Sequence, residues 1–309
     1  MNTKIIENYK LYGRCLSLTN DKIEAIVTLD VGPRIVSFSF LGGTNVMLSD
    51  RDKFEPLGGK EFDEFYYKGA AWESFGGHRL WLSPESLPET YYPDNDPVEY
   101  VIEGNTATFI PKAQKENGVA LSFSLTLNDN SNEMVVSHKV KNISEDIKEY
   151  SLWALTVLAQ GGIEIIPQNT RDTGLLGNRL IAIWPYADIN DSRLFLGNKY
   201  VTLKQDPSAT RAFKMGFDAN EGTGYYVLND VVFKKKYDHN IEGVYPDGGM
   251  SFETYTNETI IEFETLGELT TLYPNDETEH IETFSLYKKP CDFDERNEAS
   301  IERFINSIK

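Results

Sequence analysis

The run Ile23-Glu24-Ala25-Ile26-Val27-Thr28-Leu29 places Ile23, Ala25, Val27 and Leu29 on one face of an extended chain. After Asp30-Val31-Gly32-Pro33 the alternation resumes, with Ile35, Ser37 and Ser39 opposing Val36, Phe38 and Phe40. Glycine and proline between two period-two runs make a turn, so the pair predicts a hairpin or a sheet corner. Outward from it the same pattern recurs at 98–103, 106–111, 121–127, 134–141 and 150–159, then at 213–217, 225–228, 231–237, 250–255, 260–265 and 281–287. Short strands at even spacing, with Asn, Asp and Gly between them, predict an all-β antiparallel sandwich or barrel. Two segments depart from it. Asp50–Phe75 mixes charges and aromatics without alternation and reads as an irregular or partly helical insertion. Glu295–Ile308 carries Ala299, Phe304, Ile305 and Ile308 near helical spacing and predicts a short C-terminal helix. No Ser/Gly/Pro-rich linker and no repeat divides residues 1–309, which read as one domain.

Composition narrows the function. The 309 residues are 40% hydrophobic and 12% aromatic, which is globular, and 48 acidic against 30 basic residues give a net charge of −18. That field repels phosphate backbones and anionic lipid, so neither nucleic acid nor a membrane is expected as a partner. The one basic cluster, Lys234-Lys235-Lys236, reads as a solvated strand edge. Cys15 and Cys291 lie far apart and read as free thiols. Met1–Asn8 has no apolar core of a leader, and the expected location is the cytoplasm.

The densest chemistry lies in Gly76-Gly77-His78-Arg79-Leu80-Trp81-Leu82-Ser83-Pro84-Glu85 and Tyr91-Tyr92-Pro93-Asp94-Asn95. It reads as an aromatic loop capping a sheet, with an imidazole, a guanidinium, carboxylates and flat rings. Such a set suits a sugar, whose C–H faces lie on aromatic rings and whose vicinal hydroxyls bond to charged groups. Arg79 can fork onto two hydroxyls, with Arg34 and Lys214 as further cations. Trp81, Trp153 and Tyr245 are candidate stacking platforms. Glu262 and Glu264, two apart, share a strand face, and Glu253 reaches Glu264 if 250–255 and 260–265 form a hairpin. His138 and His280 sit in strands and read as structural, and His239 reads as turn chemistry. No histidine pair has metal-ligand spacing, so neither a metal nor any cofactor is expected.

The stretch Ile260-Ile261-Glu262-Phe263-Glu264-Thr265-Leu266-Gly267, followed by Leu272-Tyr273-Pro274-Asn275-Asp276-Glu277 and His280-Ile281-Glu282-Thr283-Phe284, resembles the end of the galactose mutarotase (aldose 1-epimerase) superfamily. Gly32-Pro33-Arg34-Ile35 and Asn142-Ile143-Ser144 resemble that superfamily's early corner and the turn before its central strand. With the Gly77–Trp81 and Tyr91–Asn95 motifs, the pattern is most similar to a DUF4380-like branch. The resemblance implies an antiparallel β-supersandwich that binds a sugar on a concave face. It puts Glu264 at the position of the base that removes the anomeric proton. The superfamily's general-acid histidine has no counterpart in Tyr150–Leu158, which leaves His78 as the stand-in acid. Three functions follow as expectations: an aldose 1-epimerase-like isomerase, a non-catalytic sugar-binding protein, and a lyase or hydrolase on an acidic glycan.

Overall fold

A computed structural model describes residues 1–308. Its body is an eleven-stranded sheet packed on a ten-stranded one, with pairing antiparallel throughout. The expected hairpin forms from Ile23–Thr28 and Ile35–Phe40. At the centre of the larger sheet, Ile35–Phe40, Gly77–Ser83, Lys148–Leu158, Ile261–Leu266, Phe252–Thr256 and Phe213–Phe217 lie side by side in that order. The smaller sheet is centred on Thr223–Leu228, Val231–Tyr237, Glu277–Lys288 and Glu133–Asn142.

Alternation does the sorting. On Glu133–Asn142, Met134, Val136 and Val140 face inward; on Glu277–Lys288, Phe284 and Leu286 do the same. Between the sheets Phe38, Phe233, Phe263 and Phe284 pack edge to face around Phe233, at centroid distances of 5.1 to 6.0 Å. Fully burying such rings contributes on the order of 2 kcal/mol apiece, and the edge-on geometry adds to it. The C-terminal helix spans Glu298–Asn306, and the Asn297 side chain caps it by accepting from the Ser300 amide. It buries Ile301 and Phe304 against Ile165, Tyr225 and Val232 on the outer side of the smaller sheet.

Residues 50–75 form the expected insertion, with a 3₁₀ turn at Arg51–Lys53, a helix at Lys60–Phe65 and a two-residue ladder joining Leu57–Gly58 to Ala71–Trp72. Two expectations need correction. Gly77–Ser83 is no loop but an inner strand, bonded to Lys148–Leu158 over seven positions. Gly76 and Gly77 make its entry possible: both have φ near +70°, and a Cβ on either would collide with a carbonyl, of Leu48 and of Ile35 respectively. The lysine cluster is no solvated edge either. Its strand lies mid-sheet, so alternation exposes Lys236 and drives Lys235 fully into the interior.

Cys15 is buried and Cys291 exposed, and both are free thiols. Among the described residues no helix is long and apolar enough to cross a membrane.

Candidate functional site

Strand register puts one row of side chains across the outer face of the larger sheet: Arg79, Leu155, Glu264 and Glu253 are direct neighbours on four successive strands. The next row on that face carries Glu262 beside Tyr255, and Tyr255 beside Lys214. Trp81 lies opposite Trp153. Leu155, Tyr255, Lys214 and Glu262 line a cavity of about 500 Å³ walled by Trp72, Trp81, Trp153, Trp184 and Tyr186 and flanked by Glu85, while Arg79, Glu264 and Glu253 are buried outside its lining. The wall holds all four tryptophans of the chain. The insertion contributes Trp72, Phe54 and Glu55 to the rim, which explains why a segment without alternation interrupts the sheet. The volume is that of an ordinary small-molecule site.

Two cations are held against the aromatic walls. The Arg79 guanidinium lies 3.8 Å from the Trp81 ring centre and 4.4 Å from that of Trp72. The Lys214 ammonium is 4.7 Å from both Trp153 and Trp184. Such contacts offset part of the desolvation of a buried charge. Lys214 also pairs with Glu253 at 2.8 Å and Glu264 at 3.4 Å, and the indole N–H of Trp153 donates to Glu264 Oε2 at 2.8 Å.

Three carboxyls around one ammonium cannot all ionise cheaply. Burial pushes Glu253 up to about 8, against the pull of Lys214. Burial and then the charge of Glu264 push Glu262 to about 8 as well. Burial also raises Glu264, opposed by Lys214 and by the Trp153 bond. Burial works against Lys214's charge, yet Glu264 and Glu253 raise it overall. Burial and Arg34 bear down on the Arg79 guanidinium, which still keeps its proton at neutral pH. Among the described residues, four buried polar atoms in this region have no hydrogen-bond partner: Trp72 Nε1 in the cavity wall, and Arg79 Nη1, Glu253 Oε1 and Glu264 Oε1 outside its lining.

The other residues singled out in the sequence fall elsewhere. His78 is adjacent to Arg79 and so points through the sheet into the sandwich, in the row of Thr156 and Phe263. It and Glu264 face opposite sides of one sheet and cannot flank one sugar. Arg34 is buried in a bidentate pair with Asp94, at 2.7 and 2.9 Å, outside the cavity lining. Tyr245 stacks on His239 and lines a separate groove of about 460 Å³ that has no tryptophan, lysine or arginine. Trp72, Trp184, Tyr186 and Glu85 were not singled out as site residues, because they sit in irregular segments whose positions no periodicity predicts.

On the inner side the same strands feed a second polar cluster. Glu282 Oε1 accepts from Lys235 at 2.8 Å and from the Thr265 hydroxyl at 2.6 Å. Thr265 has spent its hydrogen on Glu282, so His280 Nε2, 3.0 Å away, must be the donor to it. His78 and His138 complete the cluster, all of it buried.

No protein-family model and no curated protein matches the sequence. Solved structures do match the fold. A TPR-domain containing protein from Parabacteroides distasonis superposes with a TM-score of 0.60 at 15% identity, over 90% of this chain and 48% of its own, so the chain spans about half that protein's length. A mutarotase candidate from Salmonella typhimurium gives 0.57 at 11% identity, over 93% and 97% of the two chains. A galactose mutarotase-like protein from Clostridium acetobutylicum gives 0.52 at 12%, over 93% and 99%. At such identities the likeness is one of architecture, and on that ground the chain has the antiparallel β-supersandwich fold of galactose mutarotase-like and aldose 1-epimerase proteins.

Proposed function

We propose that the tryptophan-walled cavity binds a sugar, and that Glu264 and Glu262 exchange protons with it at the anomeric centre. The observation that carries the reading is a cavity walled by four tryptophans that also presents Lys214, Glu85, Glu262 and the unpartnered indole N–H of Trp72. A ligand with hydroxyls on its rim and C–H faces above and below satisfies both at once. The likeness to proteins described as galactose mutarotase-like supports the same class of ligand. In the proton transfer, Glu264 Oε1 is the unpartnered base atom, while Lys214 and Trp153 hold Oε2. Glu262, pushed to about 8, keeps its proton at pH 7 and can protonate the ring oxygen. His78 has no part in this step, because it faces the sandwich interior.

A second reading, binding without turnover, is favoured by the depth of Glu264, whose surface is entirely buried. Polarimetry on freshly dissolved aldoses, paired with calorimetric titration of the same panel, separates the two. Accelerated anomer exchange that Glu264→Gln lowers by about two to four orders of magnitude supports catalysis. Binding with no exchange supports the binding protein, and no binding across aldoses, amino sugars and uronates ends both readings.

A further inference from the structure

The inner cluster carries an inference independent of the sugar site. His78 comes from Gly77–Ser83 in one sheet, His138 and Glu282 from Glu133–Asn142 and Glu277–Lys288 in the other, and the three side chains converge in the middle of the sandwich. His78 Nε2 and His138 Nε2 each lie 3.4 Å from Glu282 Oε2, and 2.8 Å from one another. Around a tetrahedral zinc ion, ligand atoms at ordinary bond lengths stand about 3.3 Å apart. Two of the three separations match that spacing, and the third needs to open by roughly half an ångström to reach it.

Hydrogen bonding among the three does not account for the arrangement. Glu282 uses Oε1 for Lys235 and Thr265, while Oε2 has no hydrogen-bond partner although it is buried and faces two imidazoles. A hydrogen between the two Nε2 atoms serves that contact and leaves the carboxylate oxygen unserved. The outer nitrogen of His78 lies 2.8 Å from the Thr156 hydroxyl, the kind of contact that fixes a metal-binding imidazole with its other nitrogen free. We infer that His78, His138 and Glu282 form a binding site for a divalent transition-metal ion, zinc by its donor set, that ties the two sheets together. Lys235 opposes the ion's charge from Oε1 and weakens the site relative to an unopposed set of the same ligands.

The full chain, freed of any affinity tag, stripped with chelator and dialysed, is the material for the test. On adding zinc chloride and passing the protein through gel filtration, elemental analysis should find stoichiometric zinc, and the melting temperature should rise. Cobalt chloride should give the visible bands of a four-coordinate ion, and His138→Gln should lose zinc and cobalt together. If that variant does not fold, X-ray absorption on the zinc-loaded wild type decides instead. An N/O shell with imidazole scattering upholds the site, and a sulfur shell from a cysteine overturns it. Wild-type protein that retains no zinc and shows no cobalt bands also overturns it.

Discussion

Two clusters built from the same strands face opposite ways. On the outer side of Gly77–Ser83 and Ile261–Leu266, Arg79 and Glu264 join Lys214 and Glu253 beneath a cavity; on the inner side, one residue along each strand, His78 and Thr265 join Lys235 and Glu282. Each is a lysine paired with buried carboxylate among aromatic rings. They differ in balance. Inside, the Lys235 ammonium donates to Glu282 and to the carbonyls of Ala154 and Phe263, filling its three hydrogens. Outside, three carboxyls crowd one lysine beside a cavity, whereas inside the unpartnered Glu282 Oε2 and His138 Nδ1 lie among packed side chains. Surplus polarity beside a cavity has room for a whole molecule, while the surplus among packed side chains has room for an ion alone.

The largest effect that tests this contrast is on stability. Glu282→Ala leaves Lys235 buried without its carboxylate and should lower the unfolding free energy by about 3–5 kcal/mol in urea titration. Glu262→Gln, which replaces a carboxyl that keeps its proton at pH 7 with a neutral isostere, should raise it instead, because the unfolded chain no longer gains by ionising that group. Equal costs for the two would erase the distinction. Next in size, Arg79→Ala should weaken sugar binding by about 1–3 kcal/mol in calorimetry with folding intact, by removing the cation that lies against Trp72 and Trp81 and holds that wall. Unchanged affinity would take Arg79 out of the sugar site.

The pH dependence of stability should run in opposite directions for the two sides. Glu262 and Glu253 titrate near 8 when folded and near the usual 4.5 when unfolded. The folded chain therefore holds more protons between those values, and this contribution to stability falls as pH rises through the window. Burial pulls His280 down to about 4 from its usual 6.5, so there the unfolded chain holds more protons and stability rises from pH 4 to 6.5. Urea titrations between pH 4 and 9 should show Glu262→Gln flattening the upper fall and His280→Asn flattening the lower rise. The reverse assignment would break the contrast. Smallest of all, Tyr245→Phe loses a hydroxyl that accepts from the Asn240 amide at 2.9 Å. It should cost about 1 kcal/mol of stability and leave sugar affinity unmoved, since its groove is a separate one.

Alternation alone made the sandwich legible, because each strand with one buried face prints its period on the sequence, as Met134 to Val140 does. Gly77–Ser83 hid behind paired glycines and polar residues, since both of its faces serve polar clusters. The outer carboxylates were readable from the two-residue spacing of Glu262 and Glu264, and Glu253 from the hairpin that sets it opposite Glu264. The inner cluster was not. His78, His138 and Glu282 are separated by 60 and 144 residues, and only sheet stacking brings them together, so a search for local ligand spacing passes over them. The same parity that placed Arg79 on the cavity's side of the sheet turned its neighbour His78 to the other side.

The concentration of every tryptophan in one wall has a spectroscopic consequence. Under excitation selective for indole, the emission of the folded chain comes entirely from Trp72, Trp81, Trp153 and Trp184, so the protein carries its own optical reporter of that wall. Arg79 and Lys214 lie against these rings, and a molecule that shifts either cation or displaces water there changes the colour and yield of the light with no label attached. Ions entering the sandwich interior, behind the sheet, should leave that light nearly constant, so a single fluorimeter can tell which side of the sheet a compound has reached.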